Sequence, residues 1–419
     1  MATSEEKKTS HSISKEANLK PLYTRSVVNS LGLGMVNPFI SAYAVKLGAS
    51  SSEMGWFQSL ANLSNNVMQV FWGKQSDRIG RRIPFIVLGG LIIAALWIPM
   101  MFVTNASQLI ILIAIQALLG SMATPAWTAL IGDLVPSLRL GRASAAVNLW
   151  ASVGSLIATL VSGIIMVSIG GTLQEMFFVP FTVAVICGFI SSFVMLSIEE
   201  RRHNKNSASK KGFLPEMFEI VTRVKKSPDF MKYSMAGAVF TFSMSIIWPL
   251  FSITLIRVLN ASMLEIAFLS VIQTTVTLIL QRRIGRLADT LGRKPLLVLF
   301  RFSLITVPIA YAFAPNVYVL MGVGAFWGIS MAMGQASMTA YLLDVAPEEH
   351  RGSFTAFYNL IMGVTSFFGS LVGGYLSDFT IGLFGLTLGL QIVYMISMVG
   401  RGIGAATYLT LGETLKKPK

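Results

Sequence analysis

The chain has 419 residues, 53% of them hydrophobic and only 12% charged, with a mean hydropathy of +0.66 and a formal net charge of +14. Soluble domains carry about a quarter charged residues, so this composition excludes an ordinary soluble chain and implies a protein of the bilayer. The positive balance alone would suit nucleic acid, but the cations are not clustered as such a partner requires.

Residues 1–22 begin "MATSEEKKTSHSISKEANLK", polar and charged with no apolar core, which predicts a cytoplasmic tail rather than a cleaved signal peptide. Hydrocarbon about 30 Å thick takes roughly 20 apolar helical residues to cross. Charge-poor runs of that length recur at 25–45, 53–73, 83–103, 108–131, 143–166 and 176–197. After a polar stretch at 198–232 they resume at 233–256, 264–281, 295–314, 317–342, 353–376 and 383–410, leaving a tail at 411–419. Runs such as "FIVLGGLIIAALWIPMMFV" lack the alternation of barrel strands. The fold class is therefore all-α and polytopic, with twelve transmembrane helices in two six-helix bundles, 23–197 and 233–410, joined by a linker.

Of the 33 Lys and Arg, 29 fall in segments on the amino-terminal side of these spans, against Lys46 and Arg257 on the other. Such alternation is the positive-inside pattern, so both termini are expected in the cytoplasm of a multi-pass protein of the cell membrane. The single cysteine, Cys187, lies in an apolar run, which fits packing and rules out an intrachain disulfide. "NAS" at Asn105 and Asn260 falls in outer loops so close to the membrane that glycosylation is not expected.

The two halves repeat one another. "GKQSDRIGRR" at 73–82 matches "GRLADTLGRK" at 285–294, and "LGASSSEMGWF" at 47 matches "LNASMLEIAFL" at 259, both offset by 212. "DLVPSLRLGRASAAVNL" at 133 matches "DVAPEEHRGSFTAFYNL" at 344, offset by 211. Three blocks in nearly one register indicate duplication of a six-helix unit.

On these residues the chain resembles the major facilitator superfamily (MFS), whose loop between helices 2 and 3 reads G-x-x-x-D-R-x-G-R-R/K, with a weaker copy between helices 8 and 9. Gly73, Asp77, Arg78, Gly80, Arg81 and Arg82 fill the first copy. Gly285, Asp289, Gly292, Arg293 and Lys294 fill the second, with Thr290 in place of the first Arg. The glycines would let another helix approach closely, and Asp77 and Asp289 are suited to a helix amino terminus. The cations, with Arg142 and Arg351, would pair with Asp133 and Asp344 or hold the headgroup region. The resemblance implies alternating access, with this cluster latching the cytoplasmic side while the cavity faces outward.

The same resemblance places helices 1, 4, 7 and 10 around a central cavity, completed by 2, 5, 8 and 11. Cavity candidates chosen by helix number are Asn29, Asn37, Gln116, Asn148, Trp150, Trp248, Gln273, Trp327, Gln335 and Asn359. Amides in hydrocarbon need partners, and interhelical bonding is the competing explanation for each. Pro38 and Pro249, 211 residues apart, free the carbonyls of Gly34 and Ser245 for substrate or for bending. Pro125 in helix 4 carries the same ambiguity.

The 19 acids fall in loops or at helix ends and the three histidines in cytoplasmic segments, so no midmembrane proton carrier is evident. Gln116 stands where the family's helix 4 motif has Arg, four residues before Gly120, and helix 5 lacks the G-P-x-x-G-G phrase of antiporters. Coupling through Glu53, Glu265 or Asp378 at the outer rim stays open. Two cations lie inside spans. Arg301, about 9 Å along helix 9, is expected to snorkel to the interface. Arg401, about 13 Å from the end of helix 12, needs a protein or headgroup partner.

No H-E-x-x-H, G-x-S-x-G or P-loop phrase occurs, so no enzyme activity and no cofactor or metal is expected. The expected partners are a small-molecule substrate and membrane lipids, with no nucleic acid, and the chain is expected to work as a monomer. Uncharged candidates favour export of amphipathic or hydrophobic molecules. Uptake of a neutral solute such as a sugar, lipid transport and a transporter-like sensor are the alternatives.

Overall fold

The computed structural model describes residues 20–135, 137–198, 200 and 220–415. The predicted amino-terminal tail up to residue 19, most of the predicted linker and residues 416–419 lie outside them.

All twelve predicted spans are helical. The first half holds α1 (Lys20–Val36, resumed as Ile40–Lys46), α2 (Ser51–Leu63, a π turn Ser64–Met68, then Gln69–Ile79) and α3 (Ile83–Met100). It continues with α4 (Ala106–Gly120 and Ala123–Leu134), α5 (Ser137–Ile169) and α6 (Leu173–Val194). The second half holds α7 (Pro228–Ser245, Leu250–Ile253 and a π turn Thr254–Val258), α8 (Met263–Leu291) and α9 (Arg293–Ser303 and Thr306–Phe313). It ends with α10 (Val317–Val345), α11 (Arg351–Phe384) and α12 (Leu386–Leu409). Among the described residues, ten helices are long and apolar enough to cross a membrane. The other two spans, α1 and α2, carry more Asn, Ser and Gly, and several of those polar residues face the opposite half rather than lipid.

Sequence-local chemistry sets the helix starts on the outer side. Ser50, Thr172 and Ser262 each accept the N–H of a glutamate three residues on, whose carboxylate returns to the cap N–H. Glu53 and Glu265 are thus capping-box residues, which explains their matching positions in the repeat. Asn105 and Asn316 cap α4 and α10 through the side chain.

Prolines account for the interruptions. Asn37 to Phe39 form a turn before Pro38 lets α1 resume, and residues 246–249 do the same in α7. Helix α9 breaks at Leu304, the residue whose carbonyl would have received an N–H from Pro308. Helix α4 breaks at Ser121, four residues before Pro125.

Within the first half α1 packs on α5 and α6, α3 on α4 and α6, and α2 on α4. Within the second, α7 packs on α11 and α12, α8 on α10, and α9 on α10 and α12. Three seams join the halves: α1 with α7, α2 with α11, and α5 with α8. The hydrogen bonds that cross between halves at Ser41, Ala49, Ser51, Ser52, Trp56, Ser59 and Asn62 all lie toward the outer side. Outer glycines are crowded: a Cβ on Gly374 would sit 2.6 Å from the Ser51 carbonyl oxygen, and one on Gly163 2.8 Å from Ala267. At the cytoplasmic ends, a Cβ on Gly132, Gly141, Gly285 or Gly352 would meet nothing within 4 Å. The bonds between the halves are thus gathered at the end of the bundle opposite the termini.

Candidate functional site

The bonded end converges on the two proline turns. Asn37 and Trp248 occupy equivalent positions, 211 residues apart, each directly before its proline. Asn37 is exposed and Trp248 half-buried. One turn further out, the Ser252 hydroxyl donates to the Ser41 hydroxyl at 2.8 Å, again between positions 211 apart. Arg257 adds a bond from Nη2 to the Ala49 carbonyl at 2.7 Å.

The carbonyls freed by the prolines are already occupied. Gly34 accepts the Thr159 hydroxyl at 3.0 Å and Ser245 accepts the Ser370 hydroxyl at 3.3 Å. Thr159 and Ser370 are themselves 211 residues apart, so α5 and α11 satisfy α1 and α7 in the same way. The expectation that these carbonyls meet substrate is therefore corrected: a buried carbonyl is costly unless bonded, and hydroxyls within each half already bond them.

The other cavity candidates divide. Asn29, Asn37, Trp248 and Gln273 keep exposed or half-buried side chains, and Asn148, Trp150, Gln335 and Asn359 are exposed. Two were misassigned. Gln116 turns away and donates to the Ile93 carbonyl in α3 at 3.1 Å. Trp327 is 4% exposed, stacked on Tyr311 with its N–H on Thr306, so it belongs to the packing of α9 and α10. Helix number names a wall but not which face of the helix forms it.

At the cytoplasmic ends the repeated loop forms one cluster per half. Gly80, at φ 71°, ends α2 in a left-handed turn, and Gly292 has φ 107°. These conformations require glycine, and they swing the chain so that Arg82 and Arg293 open α3 and α9. Arg82 pairs with Asp77 and lies 3.6 Å from Asp133. In the second half Arg293, which aligns with Arg81, pairs with Asp344 at 2.8 Å. The expected ion pairs with Asp133 and Asp344 are thus present. The partner of Asp77 is Arg82, while Arg78, Arg81 and Asp289 are exposed, and Arg351 is exposed and bonds Glu348 and the Leu343 carbonyl. The Arg142 side chain lies outside the description. Gly73 and Gly285 do not mediate a close helix approach here: a Cβ on Gly73 would be 3.5 Å from Pro125, ordinary contact, and Gly285 faces open space.

Two carboxylates that sequence reasoning missed complete these clusters. Glu200 accepts the N–H of Arg82 and of Ile83, the latter at 3.2 Å, and Glu413 accepts those of Arg293 and Lys294 at 3.1 Å each. Each binds first-turn N–H groups that have no partner in their own helix. An acid directly after the sixth and the twelfth span was the signal in the sequence.

The buried cations are both internal. Arg301 does not snorkel; it is 2% exposed, with its guanidinium 4.5, 4.7 and 5.1 Å from the rings of Phe240, Tyr408 and Phe300. Ring faces attract a desolvated cation by ~2 kcal/mol each, and α7, α9 and α12 bring three together. Arg401 donates to the carbonyls of Leu304 at 2.7 Å and Met244 at 3.3 Å. Both carbonyls sit at helix breaks, Leu304 because Pro308 has no N–H, and Met244 because the Trp248 N–H turns to Ser245. Arg401 thus has the protein partner that its depth required.

A duplicated six-helix unit, proline turns at equivalent depths and paired cytoplasmic clusters delimit one kind of molecule. The model of the Major Facilitator Superfamily matches residues 23–242 and again 233–417. The chain belongs to that superfamily. Among curated MFS relatives, the Multidrug resistance protein MdtG of Proteus mirabilis (strain HI4320) is 26% identical over 370 residues, covering 86% of this chain and 89% of its own. Among solved structures, a bacterial homolog of the human lysosomal transporter Spinster, inward-facing and unoccupied, aligns with a TM-score of 0.70 at 16% identity. That alignment covers 93% of this chain and 95% of the other. The nucleoside transporter NupG aligns with a TM-score of 0.68 at 16% identity, over 94% of this chain and 99% of that one. These structures establish the MFS fold. The protein is a multi-pass membrane transporter.

Proposed function

We propose that this transporter exports amphipathic or hydrophobic small molecules from the cytoplasm by alternating access. The observation that carries the reading is an exposed amide and a half-buried indole, Asn37 and Trp248, at equivalent positions directly before the two prolines, one turn from the Ser41–Ser252 contact. An apolar wall with few oriented polar groups suits ligands held by contact area, and uncharged groups impose no fixed charge on the cargo. Similarity to MdtG supports the same direction and class of cargo. The excess of Lys and Arg on the side of the termini supports their cytoplasmic location. The Asp77–Arg82–Asp133 and Arg293–Asp344 clusters stiffen the cytoplasmic ends of the two bundles, so that each half moves as a unit about the site.

The test is accumulation of a fluorescent lipophilic cation in efflux-deficient cells expressing wild type or Asp77→Asn, with and without a protonophore. Lower accumulation in wild type alone is expected, and its loss with the protonophore would make the export energised by protons. Equal accumulation in both, with both proteins in the membrane, would reject export of that cation and bring uptake of a neutral solute or lipid transport forward.

A further inference from the structure

The three seams between the halves are not alike. On one side, α5 meets α8 through small and apolar contacts, Gly163 against Ala267 and Leu264. On the other, α2 runs antiparallel to α11 with polar bonds along its outer half. Ser59 donates to the Phe367 carbonyl at 2.7 Å, and the Trp56 indole N–H to the Tyr375 hydroxyl at 3.1 Å. Gly55 and Gly374 let the backbones touch; a Cβ on Gly374 would lie 3.0 Å from the Gly55 Cα.

At the outer end of this seam Asp378 reaches from one half to the other. Its Oδ1 accepts the N–H of Ser51 and its Oδ2 that of Ser52, both at 2.9 Å, across 327 and 326 residues. Ser51 and Ser52 are the first two residues of α2, whose N–H groups have no acceptor within the helix. An ionised carboxylate is the acceptor best suited to that position, through charge-assisted bonds and the helix dipole. The Ser377 hydroxyl reinforces it on the Ser51 hydroxyl at 3.2 Å. At the opposite end of α2, Asp77 is 55% exposed and pairs within its own half.

We propose that Asp378 is the latch of the outer gate: bound to the first two N–H groups of α2 it holds the outer side closed, and it must let go of them before the outer side can open. The α2–α11 seam then parts. Asp378 is a positioning residue, because it acts by fixing where α2 begins relative to α11 and not by touching cargo. The inference concerns the conformational equilibrium of the transporter and does not depend on what is carried.

The experiment is pulsed EPR on the full chain in nanodiscs, in a Cys187→Ala background. One spin-label pair sits at Thr104 and Pro315 outside, and another at Ser197 and Thr410 on the cytoplasmic side. Asp378→Asn is expected to lengthen the outer distance, shorten the cytoplasmic one and raise the outward-to-inward ratio by roughly tenfold, the change that losing one charge-assisted bond implies. Ser51→Pro tests the same bond from the other partner. Proline is accommodated at the first helical position, the extended Ser50 before it suits a proline, and the N–H donor is deleted together with the hydroxyl that meets Ser377, for which Ser51→Ala is the control. The same shift is expected there, with little added in the double variant, whereas Ser51→Ala keeps the N–H and should shift the ratio less. Distance distributions identical to wild type in Asp378→Asn would overturn the proposal. Should that variant fail to fold, unchanged distributions in Ser51→Pro overturn it alone.

Discussion

The hydroxyls of Ser41 and Ser252 lie 2.8 Å apart, and the two residues are copies of one position in the ancestral six-helix unit. A contact between equivalent residues falls on the pseudo-two-fold relation of the halves, where opening separates them. With both replaced by cysteine in a Cys187→Ala background, oxidation should join them, since hydroxyls in hydrogen-bond contact place their Cβ atoms near the roughly 4 Å span of a disulfide. The oxidised protein is expected to lose transport while the reduced form regains it. Unimpaired transport with a quantitative cross-link, read by mass spectrometry, would remove this contact from the gate.

Asp77 and Arg82 pair within one half. Asp77→Asn weakens that half's cytoplasmic cluster, and it also removes the charge available to the other half when the cytoplasmic side closes. Transport is expected to fall at least tenfold, with substrate affinity changed by no more than about twofold. Equal loss of binding and transport would place Asp77 in the binding site instead.

Arg401 answers two carbonyls that prolines and helix breaks leave open. Arg401→Met keeps most of the volume but removes the donor to both carbonyls, leaving Leu304 only the long 3.4 Å bond from the Val307 N–H, at an expected cost of about 2–4 kcal/mol, read as a fall in melting temperature in detergent. Lysine should not rescue it, because one ammonium on a flexible stem does not span both acceptors. Pro308→Ala restores an N–H to the Leu304 carbonyl and should recover about 1 kcal/mol in the Arg401→Met background. Strict additivity of the two changes would refute the assignment.

Glu413 caps α9 from outside the membrane spans. Partial burial pushes its pKa up, and backbone N–H groups from Leu415, Arg293, Lys294 and Thr414 more than reverse that, leaving it below its ordinary 4.5. A carboxyl lowered on folding contributes stability that is full above its unfolded pKa and is lost as pH falls through the folded value. Glu413→Gln should therefore melt below wild type at neutral pH. The gap should close as the medium is acidified below 4.5; a gap independent of pH would mean that the carboxylate charge is not the source.

The twelve helices and their duplication were legible because hydrophobic length and repeated polar positions survive in one dimension. The offset of 211, carried past the loops, also pairs residues that the structure uses alike: Ser41 with Ser252, which touch, and Thr159 with Ser370, which bond the equivalent carbonyls of Gly34 and Ser245. Glu200 and Glu413 escaped because they stand 213 apart, out of register with the loop phrase they complete. Arg301 was misplaced for a different reason: rise per residue gives depth, but its rings come from α7 and α12 as well as α9, and only packing reveals that convergence. Gln116 and Trp327 failed on helix rotation, which a break in α4 and stacking between α9 and α10 decide.

The hydroxyls of Thr159 and Ser370 have a bearing on how this protein can change. The two carbonyls that Pro38 and Pro249 release, Gly34 and Ser245, are already engaged. Replacing Asn37 or Trp248 alters the shape and chemistry on offer without stranding a backbone dipole in a dry interior. Side chains at these two positions can therefore vary one at a time while the hydrogen bonds that fix the turns stay as they are.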